Sequence, residues 1–83
     1  MHAMSDLNTI FAQNLRRYRE ENGFTQLDLA NQAGLTVRRI AKLEKAQGSP
    51  RILTIDALAD ALGVTVIQLL AIHENKTPPP DAR

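Results

Sequence analysis

"TQLDLANQAGLTVRRIAKLE", Thr25 to Glu44, holds two apolar-periodic segments separated by Gly34-Leu35-Thr36. Thr25 reads as an N-cap with Asp28 three residues on, a shortened form of the capping box, which prefers Glu or Gln. Leu27, Leu29, Ala30 and Ala33 give the first segment its buried side, and Gly34 stops it at the left-handed position where glycine is unhindered. Thr36 caps the second segment. There Val37, Ile40, Ala41 and Leu43 are apolar, and Ile40 and Leu43 sit three apart as a core-facing pair. A single helix would span the whole stretch if the Gly-Leu-Thr break were replaced. With the break, the second helix crosses the first steeply, and its first turn projects from the body while its back stays packed.

On the N-terminal side, Leu7, Ile10, Phe11, Leu15 and Tyr18 recur at helical spacing, with Gln13, Asn14, Arg16 and Arg17 assigned to other faces. Asn22-Gly23 ends that helix. On the C-terminal side, "AQGSP" (Ala46–Pro50) is a turn-rich break. Ile52, Ile55, Leu58, Ala59 and Leu62 mark a fourth helix closed by Gly63. Thr65 with Gln68 forms a capping box opening a fifth, in which Val66, Ile67, Leu69, Leu70 and Ile72 are apolar nearly all round. A helix apolar on most sides needs cover on most sides, so Val66, Ile67 and Leu70 are the candidate surface for a second chain, the alternative being that they are entirely core. No strand pattern or internal repeat is visible. The expected fold is all-α, a compact bundle of five short helices over residues 6–73. Residues 1–5 form a leader expected to be flexible, and residues 74–83 ("ENKTPPPDAR") a Pro-rich tail, disordered or polyproline-like.

An 83-residue chain is one domain with a core only just sufficient to fold alone. With three aromatics, Leu, Ile, Val and Ala must build the interior. There is no cysteine, which removes disulfides and thiolate metal sites and gives no argument for secretion. No apolar run approaches the ~20 residues that cross a bilayer, and no export signal is seen, so a cytoplasmic location is expected. Catalysis finds little support. His2 and His73 lie at opposite ends, no Gly-rich phosphate loop exists, and Asp56 with Asp60, four apart on one helix face, lack a third metal ligand. A solvated face explains that pair better. No cofactor, metal or catalytic residue is assigned.

Charge is unevenly placed. From Thr36 to Arg51 there are five bases (Arg38, Arg39, Lys42, Lys45, Arg51) against one acid, Glu44, whereas from Leu53 onward four acids face two bases. A local basic stripe on a nearly neutral domain suits a polyanion met by one face, although most charge runs are only solvated faces. The broken helix pair favours the polyanion, because it has the geometry of a helix-turn-helix. In that motif the second helix enters the ~12 Å major groove of DNA and offers N-terminal side chains to base edges. With Ile40 and Leu43 inward, Val37, Arg38, Ala41 and Lys42 share the outward face. Arg and Lys suit guanine O6 and N7, and Val or Ala the thymine methyl. Arg39, Lys45 and Arg51 would neutralise flanking phosphates, and Gln26 could donate to one at a helix N-terminus.

From Leu7 to about Ile72 the chain resembles the Cro/phage-repressor (XRE) helix-turn-helix family, in "LRRYREENGFTQLDLANQAGLT", "IAKLEK" and "LADALGVTVIQLL". Thr25-Gln26 followed by Leu29-Ala30 and Ala33-Gly34 matches that family's second helix and turn, and Ile40 with Leu43-Glu44 the end of its recognition helix. The resemblance implies a lambda-repressor-like domain with base-facing roles for Val37, Arg38, Ala41 and Lys42. It implies backbone roles for Gln26, Thr36, Arg39, Lys45, Arg51 and the loop before Pro50, Ser49 included. It also pairs Arg19 with Glu44 as a partly buried salt bridge. Departures lie in the loop: Lys45-Ala46-Gln47 precede Gly48 where the family often has glycine soon after the glutamate, and Arg51 stands where a small residue is common. Tyr18 replaces a usual leucine.

The expected partner is double-stranded DNA, bound by a homodimer on a palindromic operator for transcriptional control, as a repressor. The alternative is an antitoxin or adaptor module that binds a toxin or other protein, with DNA binding for autoregulation. No membrane partner is expected.

Overall fold

Threonines start and glycines stop most of the helices. The computed structural model describes the backbone of residues 3–72 and side chains from residue 7 to residue 72; His2, His73 and the Pro-rich tail lie outside them. In order come α1 (Ala3–Glu21), α2 (Gln26–Ala33), α3 (Val37–Glu44), α4 (Ile52–Leu62) and α5 (Val66–Leu70). The expected all-α, five-helix bundle is what forms. α1 begins at Ala3, inside the stretch read as a leader.

The same three-residue connector is used twice. Gly34 and Gly63 take left-handed φ values of 73° and 72°, and the next residues, Leu35 and Val64, donate backbone N–H to Ala30 and Ala59. Leu35 and Val64 then pack against the core, and Thr36 and Thr65 cap the helices that follow. Local chemistry thus stops one helix, anchors the connector and starts the next within three residues. The box at Thr25 is complete despite its short carboxylate: Asp28 N–H donates to Thr25 Oγ1 at 3.0 Å, and Thr25 N–H to Asp28 Oδ2 at 2.8 Å.

Phe11 and Leu15 of α1, Leu29 and Ala30 of α2, Ile40 and Leu43 of α3, Ile55, Leu58, Ala59 and Leu62 of α4, and Leu69 of α5 form one core. Four of the expected placements change. Leu27 and Ile52 sit in the first turns of α2 and α4, at the edge of the body, and are 56% and 74% exposed. Leu7 is also exposed, on the rim of a groove described below. Asn14, assigned to an outer face, is buried at 4% exposure. It continues the α1 stripe Leu7, Phe11, Asn14, Tyr18, and its Nδ2 donates to the carbonyls of Leu69 (2.7 Å) and Ala71 (2.8 Å), with Gln68 at 3.4 Å. Those carbonyls lie at the open end of α5, where no following turn supplies N–H groups to donate to them.

Candidate nucleic-acid interface

α3 is gripped from behind and open in front. Ile40 and Leu43 are buried, which turns Val37, Arg38 and Lys42 to the exposed side, with Ala41 half-buried between them. Thr36 Oγ1 accepts the Arg39 backbone N–H at 3.0 Å and so fixes the first turn. None of Arg38, Arg39, Lys42, Lys45 and Arg51 lies within salt-bridge distance of a described carboxylate. Their positive charge is therefore uncompensated locally, as a polyanion-facing surface requires.

The far end of α3 is held by an ionic knot. Arg19 Nε donates to Glu44 Oε2 at 2.6 Å and Nη2 to Oε1 at 3.1 Å, a bidentate fork whose side chains are only 12% and 5% exposed. Arg19 Nη1 reaches the Phe24 carbonyl at 2.8 Å. The hydrogen bond to Glu44 pushes the Arg19 pKa up from its ordinary value, against the opposing effect of burial. Glu44 Oε1 also accepts from Gln26 Nε2 at 3.1 Å. One carboxylate thus ties α1, the start of α2 and the end of α3 together. Gln26, read from sequence as a phosphate donor, has one amide hydrogen committed to Glu44, which leaves the other at the helix N-terminus.

The loop after α3 departs from a glycine-first path. Ala46 itself takes the left-handed conformation, φ 60°, and Gly48 follows with φ 80°. Asn8 of α1 holds the loop, its Nδ2 donating to the carbonyls of Ala46 (3.2 Å) and Gly48 (3.0 Å). Lys45, Ser49 and Arg51 are exposed along it, and Arg39 is half-buried with its guanidinium beside Gly48. Sequence reasoning did not find Asn8 or Asn14. For Asn14 a signal exists, a polar residue in step with the apolar stripe. For Asn8 the periodicity Asn8, Ala12, Leu15, Arg19 is the only trace.

Next to this loop, a groove of about 540 Å³ is lined by Leu7, Asn8, Phe11, Ser49, Pro50, Ile55 and Leu70. Of the candidate partner surface, Leu70 lines the groove, Val66 is half-buried against the core, and Ile67 is 77% exposed. Asp56 and Asp60 are both exposed, and among the described residues no cluster of His, Cys, Asp or Glu could hold a metal. No described helix is long and apolar enough to cross a membrane.

Residues 15–69, which contain the gripped α3 and its partner α2, match the helix-turn-helix family HTH_3. The chain belongs to that family, the Cro/phage-repressor (XRE) type. It is 31% identical over 65 residues to the HTH-type transcriptional regulator y4dJ of Sinorhizobium fredii, covering 78% of this chain and 84% of that protein. A hypothetical transcription factor from Neisseria has the same fold with TM-score 0.78 and 32% identity, over 86% of this chain and 82% of that one. The restriction-modification controller protein C.AhdI of Aeromonas hydrophila superposes with TM-score 0.72 and 31% identity, over 75% and 94%. The HTH_3 domain described here thus stands among helix-turn-helix transcriptional regulators.

Proposed function

We propose that the protein is a sequence-specific regulator that binds a palindromic DNA operator as a homodimer, with α3 in the major groove, and acts as a repressor. The observation that carries this reading is the two-sidedness of α3: its back is locked by Ile40, Leu43 and the Glu44 knot, and its front offers Arg38 and Lys42 without a described counter-ion. In this reading Val37, Arg38, Ala41 and Lys42 meet base edges. Gln26, Thr36, Arg39, Lys45, Ser49 and Arg51 meet phosphates, which set register without reading sequence.

The second copy is assigned to the α5 side, on Val66, Ile67 and Leu70. Ile67 stands 77% exposed one helical turn before Leu70, which lines the apolar groove. A twofold axis beside α5 would make the contact self-complementary, and a palindromic operator requires the two α3 helices about 34 Å apart, one turn of duplex. Sedimentation that shows only monomer at micromolar concentration removes this assignment.

The DNA reading is tested by paired substitutions against a duplex selected from a random pool and against random duplex. Arg38→Ala is expected to cost about 1–3 kcal/mol on the selected site and to relax discrimination at one base position. Arg39→Ala is expected to weaken both duplexes alike and to shallow the salt dependence. Equal losses on both duplexes for Arg38→Ala would remove its base-reading role.

A further inference from the structure

Asn8 links α1 to the loop that leaves α3, and the link has a direction. Its Nδ2 draws the Ala46 and Gly48 carbonyls toward α1 at 3.2 and 3.0 Å. All the described peptides are trans, and a trans peptide sends its C=O and the next N–H to opposite sides. With the Gly48 carbonyl turned toward α1, the Ser49 N–H is turned away from it. The other peptide that Asn8 holds is already satisfied, because Gln47 N–H donates to the Lys42 carbonyl at 3.0 Å. Among the described residues the Ser49 N–H meets no acceptor. The Arg39 guanidinium lies against the same turn: a Cβ at Gly48 would stand 3.6 Å from its Nη1. Ala46 adds a second observation. An alanine at φ 60° is strained, and such a conformation persists only where its surroundings over-determine it. The Asn8 bonds are part of those surroundings.

We propose that Asn8 is a positioning residue for DNA backbone binding: by holding the Gly48 carbonyl it aims the Ser49 N–H, beside the Arg39 guanidinium, at one phosphate of the duplex. The proposal rests on the reading of this loop as phosphate-facing. A lone backbone donor next to a guanidinium suits a phosphate oxygen, since a single N–H carries little information about base identity. Asn8 does not touch the phosphate. Its effect is the orientation of one peptide plane.

The test uses the full chain with Asn8→Leu and Asn8→Ala, read by fluorescence anisotropy on a selected duplex and a random one across a salt series. Circular dichroism identifies which variants keep native helicity, and Asn8→Ala places no branched side chain against the loop. Both duplexes are expected to lose affinity by the same factor, about 3- to 10-fold for one hydrogen bond. The slope of log affinity against log salt should not move, because an N–H neutralises no charge and releases no counterion. Arg39→Ala, by contrast, should reduce that slope by about one. Methylphosphonates placed one linkage at a time provide the readout that a simple brace would not move. The linkage that the wild type meets through Ser49 should matter less in the Asn8 variants, where only the Arg39 charge still meets it. Wild-type affinity in a folded Asn8 variant overturns the proposal, and so does a weakened variant whose methylphosphonate profile matches the wild type's. If Arg39→Ala and Lys45→Ala change neither affinity nor salt slope, the phosphate-facing reading of the loop fails. If they change both while the Asn8 variants change nothing, only the role of Asn8 fails.

Discussion

The α2–α3 half of the domain and α5 are built with the same devices in different chemistry. Each opens on a threonine capping box, but the reciprocating side chain is the carboxylate of Asp28 in one and the amide of Gln68 in the other. Each is tied to α1 by a buried polar contact, the Arg19–Glu44 ion pair in one and the neutral Asn14 in the other. The surfaces they carry differ in the same sense: exposed bases on α3, an exposed isoleucine on α5. The ionic tie also reaches further. Glu44 bonds α1 and α2 from the end of α3, so three helices depend on one carboxylate, whereas Asn14 joins only α1 to the end of α5.

The largest expected effect therefore comes from Glu44. Glu44→Ala leaves the Arg19 guanidinium with only the Phe24 carbonyl and the exposed Glu20, 3.9 Å away, a loss at the lower end of the about 3–5 kcal/mol of a deeply buried pair. Domain stabilities run near 5–15 kcal/mol, so the variant should be close to unfolding at moderate temperature. Glu21→Ala breaks the exposed i,i+4 pair with Arg17 and should cost only about 0.3–0.5 kcal/mol. Urea unfolding of the two variants measures the gap; equal midpoints would mean that the knot contributes no more than a surface pair.

Asn14→Leu is next. It fills the space but removes the donor from the Leu69 and Ala71 carbonyls, and buried acceptors left unpaired cost about 1–3 kcal/mol. Because the tie ends at α5, the loss should appear in self-association as well as in melting temperature, while Glu44→Gln should affect DNA affinity first. A variant Asn14→Leu that melts early yet sediments as the wild type does would separate the α5 anchor from the proposed dimer surface.

These two ties show what could be read in the sequence and what could not. The starts at Thr25, Thr36 and Thr65 and the stops at Gly34 and Gly63 were legible because caps use bonds between residues a few positions apart. Arg19 and Glu44 are 25 residues apart and were paired only through the family resemblance. Asn14 and Asn8 bind backbone carbonyls 38 to 57 residues away, and a carbonyl marks no residue type in a sequence. Leu27 and Ile52 read as core in the sequence because periodicity ignores where a helix begins relative to the body. Ala46 takes a left-handed conformation in the loop where the family often has glycine, and Asn8 holds the carbonyls around it.

The smallest expected effect sharpens the contrast between the two capping boxes. The Thr25 backbone N–H, and secondarily its hydroxyl, hold the Asp28 carboxyl below its ordinary pKa. A lowered folded-state pKa means that the unfolded chain binds the proton more readily. The stabilisation is therefore complete above the unfolded value, near 4, and is lost as pH falls through the lowered folded value. Asp28 is exposed, so the increment is small, and other carboxylates titrate in the same range. The comparison is consequently made between variants rather than along one curve. Asp28→Asn should remove part of the acid sensitivity of the urea midpoint between pH 7 and pH 3. Gln68→Glu should add acid sensitivity, because it places an ionisable group in the box that lacks one. If both variants track the wild type across that range, the two boxes are equivalent and the ionic character of the α2–α3 half resides in the Arg19–Glu44 knot alone.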